Sequence, residues 1–338
     1  MQTQYLPHVA TLLYDPVHTN RHLTRNALFT LGFREVDVPV TVPELRRALE
    51  LGDFDLAILD VTEDETEICS LVYDMRHGRL GRNPFMVVVM TTWNQRGDLV
   101  RQVIDSGADD LLVRPLSTGQ LKNRIAQQIE ARKSFVVTSN YIGPDRRRDQ
   151  NRRSDDGVLI AVPNSLQSKA RDGVLSGPSA AEINEVRSNI DRKRIEQAAF
   201  HIAITCRLIN EQMQQTGTGP DLQREVVQHE VVALMNSVTD LRARLTAPGF
   251  ELVAVFAEGL SKAADQLSRA LQSSDLDSSR QPLALLGELA TGIRVALDPS
   301  KNEASMASEI GETVARIQAR RATQTVAESA DGKRLSGA

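Results

Sequence analysis

Cysteine is scarce in this 338-residue chain, which holds only Cys69 and Cys206, far apart in sequence. They have no pairwise spacing for zinc and make no disulfide framework, so a reducing cytosol is the simplest setting. Long apolar runs are missing too, and none approaches the roughly 18 residues of a membrane span. The first residues, MQTQYLPHVATLLY, lack a basic segment followed by an apolar one. The reading is a cytoplasmic protein with no membrane partner. No excess of one charge is present either. A net charge of −4 argues against a chain built wholly around nucleic acid, although a local basic patch fits within it. What the chain does have is 41% apolar and 25% charged residues, a globular composition long enough for about two domains.

The first 135 residues alternate strand and helix patterns. Val9–Tyr14, Arg34–Val40, Phe54–Leu59, Phe85–Met90 and Leu111–Val113 read as strands. Thr19–Leu31, Val42–Leu51, Glu65–His77, Asp98–Ser106 and Thr118 to about Lys133 read as helices, the first closed by Gly32 and the second opened by Pro43. Five strands alternating with five helices predict an α/β domain with a parallel sheet covered on both faces.

Between 136 and 180 the periodicity fails, and Gly143-Pro144, Pro163-Asn164 and Gly177-Pro178 punctuate the chain. The segment reads as a basic, flexible linker, with Arg146, Arg147, Arg148, Arg152 and Arg153 close together. Tyr141 alone stands near them, so a base-stacking arm for nucleic acid has little support. From 181 to 321 the pattern is helical, with apolar stripes such as Phe250, Val253, Ala257, Leu260, Ala264, Leu267 and Leu271. These predict a helical bundle or dimerisation domain, and hence a homo-oligomer or a protein partner. His201 and His229 lack the flanking Lys and Gly of histidine phosphotransfer domains and read as ordinary helix residues. Residues 322–338 are polar and small and read as a disordered tail.

In an open α/β sheet, ligand-binding residues collect beyond the carboxyl ends of the strands. Those ends read Tyr14-Asp15-Pro16, Asp60-Val61-Thr62, Thr91-Thr92-Trp93 and Val113-Arg114-Pro115. Two carboxylates, a hydroxyl and a cation thus converge on one rim. Carboxylates with a hydroxyl suit Mg²⁺, and a fixed cation opposite them suits a phosphoryl group.

This arrangement over residues 8–133 resembles the CheY-like receiver domain of bacterial two-component response regulators. The resemblance implies a flavodoxin-like, doubly wound five-stranded sheet in the order 2-1-3-4-5. It also implies Asp60 as phosphoacceptor, Asp15, Asp60 and Thr62 around Mg²⁺, and Thr92 and Arg114 as phosphate sensors. Thr92 lies 22 residues before Arg114, the family interval. Gly107 to Pro115, GADDLLVRP, matches the family motif G-A-x-x-Y-x-x-K-P. A histidine kinase or another signalling protein is the implied partner, and catalysis beyond self-dephosphorylation is not implied.

The departures are specific. Pro16 stands where the family has a second acid, and moving the register by one puts Tyr14 at the position of the first. The lysine is Arg114, the aromatic switch is Leu111, and the proline four residues after Asp60 is Asp64. One carboxylate fewer weakens an Mg²⁺ cage, with Glu63 or Asp64 as nearby substitutes. Arg114 is then either an altered phosphate contact or a permanent salt-bridge partner of Asp60. The expectation is a degenerate receiver acting through protein contact, with weak phosphorylation at Asp60 or none. The alternative is a phosphorylatable regulator whose linker and helices bind nucleic acid.

Overall fold

Apolar residues continuous over four to six positions cannot show one face to water, so such strands sit inside a sheet covered on both sides. The computed structural model describes residues 3–138, 141–146, 158–214, 220–245, 250–272, 277–298, 302 and 304–317. It places β1 (Thr11–Tyr14), β2 (Val36–Asp37), β3 (Leu56–Asp60), β4 (Val87–Thr92) and β5 (Asp110–Val113) in one parallel sheet. The order is 2-1-3-4-5, as expected. Helices α1 (His18–Leu31) and α5 (Thr118–Ala131) cover one face through Leu28, Leu121, Ile125 and Ile129. Helices α2 (Val42–Leu51), α3 (Glu65–Arg76) and α4 (Gly97–Asp105) cover the other through Leu45, Ile68, Val72 and Val103.

Local chemistry sets the helix ends. Gly32 closes α1 in the left-handed conformation, φ +110°, which a side chain would resist. Ser117 opens α5 in a capping box with Gln120, satisfying two end N–H groups reciprocally. The Arg114–Pro115 peptide between β5 and α5 is cis.

The stretch from 136 to 180 differs from the expected flexible linker. Strands β6 (Phe135–Val137), β7 (Ile142–Pro144) and β8 (Val158–Ile160) form a small antiparallel sheet in the order 7-6-8. Helix α6 (Ser165–Ala170) follows, with Leu166 and Ala170 buried in the α1–α5 core. Three-residue strands are too short for a period-two pattern, and their anchors lie elsewhere in the chain. Two guanidiniums, Arg76 and Arg132, lie 5.1 and 5.0 Å from the centre of the Phe135 ring. Gly107, at φ +84°, lies against Gly143, and a side chain on Gly107 would meet the Ile142 carbonyl. Arg146 donates to the Ala108 carbonyl at 2.5 Å. The other arginines of the basic cluster, Arg147, Arg148, Arg152 and Arg153, lie outside the described residues.

This first compact unit runs to Ile190, since Ile183 and Ile190 share a core with Phe135 and Ile142. The second, from Asp191, is helical: α7 (Ala180–Gln214, from its midpart on), α8 (Pro220–Leu245), α9 (Glu251–Gln272), α10 (Arg280–Leu297) and α11 (304–317). Ile202, Ile209, Leu234, Leu241, Leu260, Leu267, Leu286, Ile293 and Val314 fill its core, the stripes read from the sequence. His201 is exposed on α7, with Thr205 Oγ1 3.4 Å from its Nδ1. The two cysteines are buried, and burial pushes both thiols up to about 12, which leaves them as packing residues. The expected tail, 322–338, lies outside the described residues. No described helix is long and apolar enough to cross a membrane.

Candidate functional site

Parallel strands end at one rim, and side chains that leave the last residue of each strand meet there. Asp15 follows β1, Asp60 ends β3, and Arg114 follows β5. All three are buried, at 0, 3 and 8% exposure. Their contact is direct: Arg114 Nη2 donates to Asp15 Oδ2 at 2.7 Å, and Arg114 Nε donates to Asp60 Oδ2 at 3.0 Å. One guanidinium therefore joins two carboxylates that would otherwise repel each other.

The remaining oxygens are also engaged. Asp15 Oδ1 accepts from the Val17 N–H at 2.9 Å, and Asp60 Oδ1 accepts from the Thr62 N–H at 3.0 Å. Arg21 donates to the Asp15 and Pro16 carbonyls from α1. Thr62 joins the site through its backbone. Its hydroxyl accepts instead from the Trp93 N–H at 3.4 Å.

The hydroxyl beside Asp60 is that of Thr91, and the sequence reading of Thr92 needs correction here. Thr91 Oγ1 donates to Asp60 Oδ2 at 2.8 Å and accepts from Arg114 Nη2 at 3.1 Å. Thr92 accepts from the Asn94 N–H at 3.0 Å. The physical reason is strand alternation: Asp60 pairs with Thr91 across β3 and β4, so these two side chains share a face and the next residue takes the other. The fixed interval to Arg114 pointed one residue too far along. Thr24 of α1, 3.5 Å from the guanidinium, also went unread, because nothing in a helix pattern marks it.

Magnesium fits this set poorly. It needs carboxylate oxygens that are free to ligate, and it accepts little distortion of its geometry. Here all four carboxylate oxygens accept hydrogen bonds, and the guanidinium stands between the two acids. Pro16 offers no further oxygen from a side chain. Asp64, a nearby substitute in sequence, accepts from the buried Tyr14 hydroxyl at 3.0 Å. Burial and that bond raise the Tyr14 phenol. Among the described residues, no group of three or more His, Cys, Asp or Glu is arranged to hold a metal.

Burial, reinforced by the charge of Asp60, pushes the Asp15 carboxyl up to about 6, against the opposing pull of Arg114. A carboxyl raised in the folded state takes its proton before the unfolded chain does. Its contribution to stability is therefore full below about pH 4, the ordinary value, and lost as pH rises through about 6. Denaturant midpoints at pH 4.5 and 7 should show this, with Asp15→Asn flattening the pH dependence between them. An unchanged slope in the variant would assign the dependence to another group.

No family model matches the chain. It is 30% identical over 123 residues to the alginate biosynthesis transcriptional regulatory protein AlgB of Pseudomonas aeruginosa, covering 36% of this chain and 25% of that one. The chain thus spans about a quarter of that relative's length. Among solved structures, it is similar to a CheY-like receiver domain protein from Methanospirillum hungatei, at 22% identity and TM-score 0.32, covering 36% of this chain and 92% of that one. A response regulator from Thermotoga maritima matches at 24% identity and TM-score 0.32, over 36% of this chain and 99% of that one. Sheet order and the likeness to AlgB over 123 residues agree: the amino-terminal third of this chain has a CheY-like fold, with an arginine bridging the two acids at its rim.

Proposed function

We propose that this chain is a response-regulator-like signalling protein whose receiver domain works by protein contact and not by accepting a phosphoryl group. The supporting observation is the Arg114 bridge. It leaves Asp60 Oδ2 hydrogen-bonded to Thr91 and Arg114 and Oδ1 to the Thr62 N–H, so the nucleophile is held, neutralised and buried. A carboxylate attacks only with an oxygen that can approach phosphorus, and this one has none to spare. Arginine serves the purpose better than lysine, because its planar fork reaches two acids at once.

Beside the closed pocket, Trp93 and Val113 at the ends of β4 and β5 are 49 and 36% exposed. Tryptophan is among the residue types most enriched where binding energy concentrates. The contact face of this reading lies around α4, β5 and α5, with Trp93 on the loop that leads into α4. A histidine kinase or other signalling protein is the class of partner, and the helical unit supplies self-association or a second docking surface. In this reading the nucleic-acid alternative has less behind it, since Arg146 is engaged by the Ala108 carbonyl and Tyr141, the aromatic residue near it, donates to the Pro144 carbonyl.

The test is direct. Incubated with acetyl phosphate and Mg²⁺, the full chain should show no adduct by intact mass, the same as Asp60→Ala. An adduct that forms on the wild type and vanishes in Asp60→Ala overturns the proposal.

A further inference from the structure

A second polar site lies at the opposite end of β5, where the small sheet meets the receiver. A cavity of about 140 Å³ is lined there by Arg124, Gln127 and Gln128 of α5, Lys133, Asp110 and Arg146. A water's share of liquid volume is about 30 Å³, so the space is large enough for one small oxyanion group. Three cations face it against Asp110. Behind Asp110, Asp109 is already shared by Arg76 and Arg132, so the floor adds no net negative charge.

Two buried atoms here go without a hydrogen-bond partner among the described residues, and they are opposite in kind. Arg146 Nε–H is a donor with no acceptor. Asp110 Oδ2 is an acceptor with no donor; Arg124 Nη1 stands 3.5 Å away as an ion pair only. Buried polar atoms are rarely left so, and a group bound in the adjoining cavity that reached both would satisfy them. That group must accept from a guanidinium and donate to a carboxylate while remaining anionic overall. A phosphate that keeps one proton does both. Sulfate offers acceptors only, and a metal ion would face three cations.

We infer that this cavity binds a singly protonated phosphate group, either inorganic phosphate or the end of a small phosphomonoester. Arg124, Lys133 and Arg146 neutralise it, and Asp110 reads its proton. The ligand would join α5 and β5 to the Arg146 segment.

The experiment is isothermal titration of the full chain in the Asp60→Ala background, which takes the receiver's phosphoacceptor out of play. The probes are orthophosphate, glycerol 3-phosphate and sulfate at matched ionic strength. Saturable binding of orthophosphate assigns the free ion, and binding of glycerol 3-phosphate alone assigns a phosphomonoester. Sulfate should bind at least about tenfold more weakly, the effect of setting a buried carboxylate oxygen against an oxyanion without a proton. Lys133→Gln, at an exposed position, should weaken phosphate about tenfold, and Asp110→Asn should erase the preference over sulfate. No binding of either phosphate, equal binding of phosphate and sulfate, or indifference to both substitutions overturns the inference.

Discussion

Replacing Arg114 by alanine should lower the stability of the first unit by about 3–5 kcal/mol, the usual cost of removing one partner from a buried ion pair. Asp15 and Asp60 are 0 and 3% exposed, so neither can recover its lost partner from water. Thr91 would lose one of its two partners as well. In calorimetry the corresponding transition should fall by on the order of 10 °C for a unit of this size. Arg114→Lys restores charge but not the fork, so it should recover only part of the loss. A fall within the scatter of ordinary surface substitutions would mean that the bridge is not what holds the pocket.

Asp109→Ala should be as damaging, for the mirror-image reason. Asp109 accepts from Arg76 Nη2 at 2.8 Å, from Arg132 Nε at 2.8 Å and from the Val88 N–H at 2.8 Å. Burial opposes its ionisation, but Arg132 and Arg76 outweigh that and hold the carboxyl below its ordinary value. Burial pulls Arg76 down to about 10, which still leaves it charged at neutral pH. Without the carboxylate, two guanidiniums around one aromatic ring face each other with only backbone carbonyls as acceptors. The expected loss is again about 3–5 kcal/mol, and the small sheet should loosen with it. Hydrogen exchange at Phe135–Val137 reads that loosening. Protection unchanged there would detach the sheet from the Asp109 cluster. A lowered carboxyl stabilises above its unfolded value and loses that contribution only as pH falls below about 4, the opposite direction to Asp15.

These two clusters mark what a sequence shows and what it hides. The five strands were legible because Ile58, Val88 and their neighbours form apolar runs that only a covered sheet tolerates, whereas their order followed from the resemblance to receiver domains. Asp15, Asp60 and Arg114 were legible because strand ends converge. Thr91 was readable in principle, from alternation against Asp60, but a fixed interval outvoted it. Whether Arg114 contacts phosphate or bridges the acids depends on distances of a few ångströms, which spacing does not encode. The three-stranded extension was hidden for a different reason. Its strands are shorter than any periodic window, and its anchors, Arg76, Gly107 and Asp109, lie in elements with other evident jobs.

The central claim is that a guanidinium occupies the place between Asp15 and Asp60 where a receiver would hold a metal. Magnesium titration followed by backbone amide NMR tests it most directly. With the bridge in place, the amides of Asp15, Asp60, Thr91 and Arg114 should not shift saturably at physiological Mg²⁺. A saturable shift centred on Asp15 and Asp60 in the unaltered chain would show that the ion displaces Arg114, and the account of a closed pocket would be wrong.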